Sequence, residues 1–378
     1  METIFSLRPG AEAADSWAGG ASSAGIARRI GLVTLLILSA IILIGGLLNG
    51  FGPGFLRGMA LSRVRWIMLA FALLVHLASL GLEAWQLQRL GGMIGRPARF
   101  GRMLQIYLIG NLMANITPSA IGGEPVQLYC LSRVRYSLAE GSFLLTARGF
   151  LSVVARLLLV VAFGLAAVPS RSWPKSAAWN ILALLSAIAM ILFLLGMIVI
   201  LGTKRGRRWT VGIGGKAPLL LRLFGCRNEE ELAQKWDGFA LRFRTLSMMV
   251  LRDRRMPLAQ SLILSVLTWL AAKSVPFFVL KAFGEFPSWP LAVAAGIMAQ
   301  IAASWAPTPG AVGAQEAALA AFFFPLVVRG DPAIVIPAVV LISRFLEFHF
   351  NAALTLPVIH RLFRTGPASA AAVQSVLL

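Results

Sequence analysis

Charged residues are scarce in this chain. They make up 13% of its 378 residues, about half of the ~25% that soluble domains average. The two cysteines, Cys130 and Cys226, are far apart and form no CxxC pair, so we expect two free thiols rather than a disulfide framework. The three histidines lack metal-ligand spacing, which predicts no metal site.

The sequence also lacks a nucleotide-binding loop, an Asp-rich prenyl-phosphate motif and a convergent nucleophile and base. We therefore expect no cofactor, no catalytic residue and no enzymatic activity. Any directed process that depends on this chain has to draw on protons, ions or the gradient of its own substrate.

Apolar residues are abundant at 58%, and they are gathered into long runs separated by short basic clusters. A run of roughly 20 apolar residues crosses a bilayer as one helix. The net charge of +20 sits largely at the ends of these runs, where basic residues follow the positive-inside rule and meet anionic headgroups. No basic patch interleaved with aromatic residues stands on a soluble region, so nucleic-acid binding is not expected.

The predicted fold class is therefore all-α, a polytopic membrane helical bundle with about six full spans and two broken or re-entrant hairpins. The predicted spans are residues 30–48, 64–87, 138–168, 177–201, 258–283 and 334–359. Two shorter apolar stretches, 103–117 and 291–307, stop at a Pro/Gly-rich break and then resume. Residues 1–27 are expected to form a disordered tail, 28–362 the membrane domain and 363–378 a short cytoplasmic tail.

Charge asymmetry predicts the orientation. The loop 202–256 carries 13 Lys and Arg against 5 Asp and Glu. The positive-inside rule places this loop in the cytoplasm, with the C-terminus on the same side of a bacterial inner membrane.

The same loop contains an amphipathic stretch. Its apolar residues recur at helical spacing, and they are Leu232, Trp236, Phe239, Phe243 and Leu246. The stretch predicts either an interfacial helix on the inner leaflet or a helix packed on the protein's own cytoplasmic face.

The two breaks share a pattern. Residues 117–124 read TPSAIGGE and residues 308–316 read TPGAVGAQE, and both fit T-P-x-A-[IV]-G followed by a glutamate. A short apolar helix follows each break, and then a long span that carries an arginine, Arg148 in the first unit and Arg344 in the second. With the predicted orientation the first break enters from the cytoplasm and the second from outside, so the two units are inverted.

Inverted repeats with interrupted helices recur in membrane transporters, whose substrate sites lie where the breaks meet near the midplane. Because irregular backbone at membrane depth is tolerated only inside protein or along a cavity, we expect the breaks to lie close together around a polar cavity. The alternative is two ordinary Pro/Gly turns at the membrane surface. The candidate substrate-binding residues within the breaks are Pro118, Gly122, Gly123, Pro309, Gly310 and Gly313.

The charged residues of these segments are further candidates, because an ionisable side chain in a span is costly unless it is paired or hydrated. Arg148 and Arg344 suit a phosphate, to which a guanidinium donates two hydrogen bonds. Glu124 and Glu316 lie in the first turns after the breaks, where they either cap their helices or bind a headgroup or proton. When the site is empty, we expect Glu124 and Glu316 to balance Arg148 and Arg344. Arg344 also has Glu347 three residues ahead as an alternative local partner. Arg148 has no such partner, which favours function or a cross-helix bond to a hairpin glutamate.

Uncharged polar residues and two titratable groups complete the candidate set. Asn111 and Asn115, one turn apart before the first break, are expected to satisfy unwound backbone or to contact substrate. His76 and Glu83 share a face of their span and predict either a proton relay or helix–helix contacts. Lys273 is expected to pair with a buried acid.

At the two breaks the sequence resembles the lysylphosphatidylglycerol synthase transmembrane-region family, also called flippase-like. The resemblance rests on P-x-x-x-G-G-[DE], here residues 118–124, and on P-x-P-G-G-x-G-x-x-E, here residues 307–316. It covers nearly the whole chain after the tail. Two positions depart from the family pattern: Ala311 replaces the second glycine of P-G-G, and Gln127 stands where a basic residue is frequent.

The resemblance implies an inner-membrane protein linked to lipid translocation, without the aminoacyl-transferase domain that some members carry. The leading hypothesis is a lipid flippase or transporter that moves or presents an anionic phospholipid or another lipid-linked substrate. The alternative is a membrane-embedded partner or scaffold of a lipid- or glycan-modifying enzyme. Membrane lipids are the expected partners in either case.

Overall fold

The computed structural model describes residues 64–167, scattered helical positions between 180 and 196, and residues 229–304 and 306–364. Several predictions fall outside these ranges. They are the tail 1–27, the span 30–48, most of the span 177–201, the first half of the loop 202–256, and the C-terminal tail beyond 364.

Helices account for nearly all of the described residues. In chain order they are α1 (Trp66–Met93), α2 (Phe100–Ile116), α3 (Gly123–Ser132), α4 (Leu138–Ala167), α5 (Glu229–Asp253), α6 (Arg255–Lys273), α7 (Val275–Ala282), α8 (Trp289–Ala303), α9 (Ala314–Phe323), α10 (Pro332–Arg344) and α11 (Asn351–Arg364). A 3-10 turn, Phe324–Leu326, extends α9. A π-helical segment, Phe345–Phe350, joins α10 to α11.

Four helical stretches in the described part are long and apolar enough to cross a bilayer. They are Trp66–Met93, Leu138–Phe163, Arg255–Ala282 and Pro332–Ile359. They match the predicted spans 64–87, 138–168, 258–283 and 334–359, so the prediction of a polytopic helical membrane bundle is confirmed.

Helices α1 and α8 differ in what surrounds them. On α1, Trp66 and Ile67 are 75% and 60% exposed, which suits a face turned to lipid. On α8, every residue from 291 to 299 is buried, and most of these side chains are small. Small side chains let neighbouring helices approach closely, so α8 is enclosed by protein on all sides.

Two helical hairpins interrupt the set of full spans. The first consists of α2 and α3 and the second of α8 and α9, and the two arms of each hairpin pack together. The returning arms α3 and α9 have 10 residues each, about 15 Å at 1.5 Å per residue, which is half of a ~30 Å hydrocarbon core. Arms of this length are too short to cross the hydrocarbon core on their own.

The packing between the two units is reciprocal. Helix α1 packs against α6 and α7, which begin the second unit. The long arm of each hairpin contacts the closing span of the other unit: α2 packs on α11, and α8 packs on α4. This exchange of equivalent contacts is the arrangement expected of two inverted repeats.

Helix α5 packs on the protein itself, which was one of the two alternatives predicted for the amphipathic stretch. Phe243 and Leu246 join the core formed around α1, α3 and α4, and Val250 is fully enclosed there. The side chains of the predicted stripe residues 232 and 236 lie outside the described part. The opposite face of α5 exposes Leu241 and Leu251.

A buried carboxylate fixes α5 to the start of α4. Glu140 accepts hydrogen bonds from the backbone N–H of Ser137 at 2.9 Å and from the Arg242 guanidinium at 2.8 Å. Just before α4, Tyr136 donates to the carbonyl oxygen of Arg96 at 2.5 Å. Burial and the nearby Glu140 raise the pKa of Tyr136 to about 12, so this hydroxyl remains a donor at physiological pH.

A second buried carboxylate closes the base of the second hairpin. Glu285, in the connection between α7 and α8, is 1% exposed. It accepts backbone N–H groups from Val328 and Arg329 at 3.0 Å each, and from Gly330. These bonds tie the connection before α8 to the connection after α9.

Candidate functional site

The tips of the two hairpins touch each other. Pro118 and Pro309 form an antiparallel backbone bridge. Ser119 Oγ donates to the carbonyl oxygen of Ala306 at 3.5 Å. The predicted proximity of the two breaks is therefore confirmed.

The second tip approaches the first through a glycine. Gly310 has a φ of +58°, and a Cβ at this position would lie 2.7 Å from the carbonyl oxygen of Asn115. Only glycine fits both the conformation and the approach. The next residue, Ala311, has a φ of 53°, a left-handed conformation that costs an L-residue roughly 1–2 kcal/mol. Ala311 thus adopts a backbone conformation that favours glycine, at the position where the family pattern has one.

Gly122 and Gly123 close the first hairpin. A Cβ at Gly122 would lie 2.5 Å from Cγ2 of Thr117, and one at Gly123 would lie 2.8 Å from Cβ of Ala114. The Gly122 N–H donates to Thr117 Oγ1 at 2.9 Å. These contacts give both glycines a role in the turn itself, and their contact with a substrate stays a prediction.

Arg344 joins the second tip to the span that follows it. Its Nε donates to Glu316 Oε1 at 2.7 Å, and its Nη2 donates to the carbonyl oxygen of Gly310 at 2.9 Å. Glu316 also accepts the N–H of Gly313 at 2.6 Å and so caps α9. The expectation that Glu316 balances Arg344 is confirmed. The alternative, neutralisation of Arg344 by Glu347 three residues on, is not what the structure shows, because Glu347 has another partner.

That partner is Lys273, at the end of α6. Its ammonium group donates to Glu347 Oε1 at 3.1 Å and to Gln300 Oε1 at 3.0 Å. The expectation that Lys273 pairs with a buried acid is confirmed. Glu347 lies in the π-helical segment, a wider turn that often marks functional positions in helices.

Amide side chains connect α1, α2 and α11. Asn351 bonds to His76 Nε2 at 2.9 Å, and it donates to Asn111 Oδ1 at 3.3 Å and to the carbonyl oxygen of Glu347 at 2.9 Å. Asn115 donates to Asn111 Oδ1 at 3.1 Å. We call the set His76, Asn111, Asn115, Lys273, Gln300, Glu347 and Asn351 the junction network.

A second polar group lies along α4. Arg148 Nη1 is 3.7 Å from Glu83 Oε2 of α1, and its guanidinium sits 5.6 Å over the ring of Tyr107. About two turns further along the same face of α4, the Arg156 guanidinium lies 4.8 Å over Trp269, whose Nε1 donates to Ser152 Oγ at 2.8 Å. We call Glu83, Tyr107, Arg148, Ser152, Arg156 and Trp269 the arginine cluster.

Trp269 lies between the two polar groups. Its ring contacts Arg156 and also lies 5.6 Å from the Lys273 ammonium group. The junction network and the arginine cluster are therefore neighbours inside one bundle, and both contain residues from each inverted unit.

The predicted pairing of Arg148 with a hairpin glutamate is not what the structure shows. The carboxylate beside Arg148 is Glu83, and Glu124 is exposed, without an ion pair to any described residue. His76 and Glu83 face different partners, Asn351 and Arg148, so the contacts here are those of helix–helix bonding. A proton relay between them and a cavity shared by Glu124 and Glu316 stay predictions.

Sequence reasoning missed Gln300, Trp269 and the connection anchored by Glu285. Gln300 and Trp269 read as ordinary residues of apolar helices, and only their partners identify them. A signal did exist for Glu285, since a lone acid between two apolar helices requires donors. Within the described residues, no group of three or more His, Cys, Asp or Glu could hold a metal ion.

Comparison with known proteins agrees with this architecture. The family described as lysylphosphatidylglycerol synthase TM region matches residues 31–354, and the chain belongs to that family. A UPF0104 membrane protein of Archaeoglobus fulgidus is 24% identical over 294 residues, which cover 77% of this chain and 85% of the relative. A UPF0104 membrane protein of Methanothermobacter thermautotrophicus is 26% identical over 325 residues, which cover 83% and 89%.

Proposed function

We propose that this member of the family is a lipid flippase or transporter that moves or presents an anionic phospholipid or another lipid-linked substrate. The observation that supports it best is the contact between Pro118 and Pro309, the tips of two inverted hairpins. Two half-length arms that meet tip to tip leave one shared barrier between the two sides of a membrane.

The polar groups behind the tips fit the passage of a headgroup. Lipid tails remain in the bilayer, while a charged headgroup needs polar partners across the low-dielectric layer. Arg148 in the first unit and Arg344 in the second lie behind the tips and suit phosphate. In the described conformation the Arg344 guanidinium is already paired with the Glu316 carboxylate, at 2.7 Å. Arg148 is then the arginine that can receive a headgroup, and Arg344 would receive it after its pair with Glu316 opens.

We place the protein in the inner membrane with loop 202–256 and the C-terminus in the cytoplasm, because of the basic charge of that loop. The role is non-enzymatic, and no cofactor is part of the proposal. Movement would be driven by the lipid gradient or by protons or ions.

The test is lipid movement in vesicles that contain the purified full-length protein and a trace of fluorescent phosphatidylglycerol. An impermeant quencher added outside bleaches only the outer leaflet. Transport predicts a decay that passes well beyond the outer-leaflet fraction, and protein-free vesicles should stop at that fraction. A wild-type trace that also stops there would contradict the proposal.

A scaffold for a lipid- or glycan-modifying enzyme is the second candidate. The exposed face of α5 favours it, since Leu241 and Leu251 are 67% and 57% exposed beside arginines. A scaffold would leave the vesicle assay inactive. It would instead lose a co-purifying partner when both leucines are changed to serine.

A further inference from the structure

Arg148 is incompletely bonded in the described conformation. Its Nη1 lies 3.7 Å from Glu83 Oε2, beyond hydrogen-bond distance. Both atoms are buried, and neither has a hydrogen-bond partner in the part of the chain that the structure describes. Arg344 differs, because two of its nitrogens donate at 2.7 Å and 2.9 Å. Arg148 therefore keeps donors that this conformation does not use.

The arginine cluster also carries unbalanced charge. Glu83 is its one carboxylate, and that carboxylate interacts electrostatically with both Arg148 and Arg156. Arg156 donates to the Ser152 carbonyl oxygen at 3.4 Å and stacks on Trp269, so it has no acid of its own among the described residues. One acid against two guanidinium groups leaves one positive charge, which is costly inside a membrane protein without an anion.

Two further buried cations in the part of the chain that the structure describes, Lys273 and Arg344, do not share this excess. Lys273 pairs with Glu347, and Arg344 pairs with Glu316, so each cation there has one acid. An anion of charge −1 is therefore expected at the arginine cluster and not behind the second tip.

The spacing of the two arginines suits an oxyanion. Arg148 and Arg156 are eight residues apart on α4, about 12 Å along the helix axis. Both guanidinium groups act electrostatically on Glu83, so one anion that takes the place of this carboxylate can interact with both. A phosphodiester carries one negative charge and two free oxygens, and a guanidinium fork bonds such oxygens in pairs.

We infer that the arginine cluster binds the phosphodiester of a lipid headgroup, and that Glu83 is the counter-ion which the phosphate displaces from Arg148. The assignment rests on the proposed function, because the headgroup belongs to the transported lipid. Glu83 is a positioning residue: it holds Arg148 when the site is empty and competes with phosphate when the site is filled. The exchange makes and breaks no covalent bond.

The test measures retention of phosphatidylglycerol by the purified protein in detergent, by native mass spectrometry over a lipid titration. Removing one guanidinium group should weaken the affinity for phosphatidylglycerol about tenfold or more. Arg148→Gln and Arg156→Gln should both show this loss. Glu83→Gln should strengthen retention several-fold, because the competing carboxylate is gone.

Arg89→Gln is the matched control. Arg89 lies on α1, donates to Gln260 and is outside the cluster. It removes the same charge, and retention should stay at the wild-type level. Inorganic phosphate in the millimolar range should not displace the lipid, and full displacement would make the ligand a free anion and overturn the lipid assignment.

The signs of the changes separate a binding site from a structural ion pair. A purely structural pair predicts that Glu83→Gln and Arg148→Gln destabilise the fold alike and leave retention per folded molecule unchanged, which would overturn the inference. If Arg148→Gln does not fold, the gain in retention expected for Glu83→Gln decides alone.

The vesicle assay separates the site from the proposed function. If every one of these variants moves lipid as the wild type does, the site is refuted and the transport proposal stands. Retention that follows the prediction in a protein that moves no lipid would refute transport and leave the site standing.

Discussion

The Arg344 guanidinium on α10 donates to the Glu316 carboxylate on α9 at 2.7 Å, and the same side chain holds the carbonyl oxygen of Gly310. One residue thus fixes both the helix that leaves the second break and the break itself. The ion pair of the first unit, Arg148 with Glu83, is longer at 3.7 Å and fixes no hairpin tip. The two inverted units therefore share the order of hairpin and arginine-bearing span, but their arginines differ in how they are paired.

Arg344→Gln should destabilise the protein by about 3 kcal/mol, because it leaves a partly buried carboxylate and a carbonyl without their charged donor. Glu316→Gln should cost less, since the Glu316 side chain is 30% exposed. The double variant should cost less than the two single losses added together, because the residues share one interaction. Thermal unfolding of the detergent-solubilised variants measures all three, and strictly additive losses would show that the pair is not coupled.

Ala311→Gly should stabilise the protein by up to about 1 kcal/mol, since it relieves left-handed strain at a φ of 53°. Gly310→Ala should destabilise it by more, because the added methyl group would meet the Asn115 carbonyl oxygen. The two substitutions are at adjacent positions and exchange glycine and alanine in opposite directions, so each serves as the control for the other. The two variants should shift the melting temperature in opposite directions, upward for Ala311→Gly and downward for Gly310→Ala. A destabilising Ala311→Gly would speak against this backbone geometry.

Pro118→Cys combined with Pro309→Cys should form a disulfide, because residues paired across an antiparallel bridge have Cα atoms about 4.5–5.5 Å apart, within disulfide range. Cys130 and Cys226 are first changed to serine. The oxidised double variant should lose lipid movement and regain it on reduction, while each single variant keeps it. Cross-linking without any effect on movement would remove the tips from the pathway.

Arg205→Cys and Gly366→Cys, each in the cysteine-free background, test the orientation. Both sites should resist an impermeant thiol reagent in intact spheroplasts and react after the membrane is opened. The reason is the basic charge of loop 202–256, which the positive-inside rule keeps in the cytoplasm. Labelling of either cysteine in intact spheroplasts would reverse the proposed sidedness.

The sequence was sufficient for the spans and for the meeting of the breaks, because long apolar runs and the repeated T-P-x-A-[IV]-G pattern are local signals. Ion-pair partners were only partly predictable. The repeat indicated Glu316 as the acid that balances Arg344, and the structure has this pair. The other acid near Arg344 in sequence, Glu347, lies in the wider turn of Phe345–Phe350 and faces Lys273. Glu83 was noted only for its face shared with His76, since nothing in the sequence tells which helix packs beside it. Which acid pairs with which buried cation depends on tertiary packing, which one sequence does not show.

The bond between His76 and Asn351 joins residues 275 positions apart, and this separation has a consequence for how the protein is made. Translation delivers the first unit well before the last span exists. Until α11 is inserted, His76 and Asn111 have no Asn351 to bond with, and unsatisfied polar groups are unfavourable in hydrocarbon. The nascent first half is therefore an incomplete assembly intermediate, in need of water or another protein at its polar face. The bonds to Asn351 are therefore among the last of the junction network to form, and truncation anywhere before Asn351 removes them.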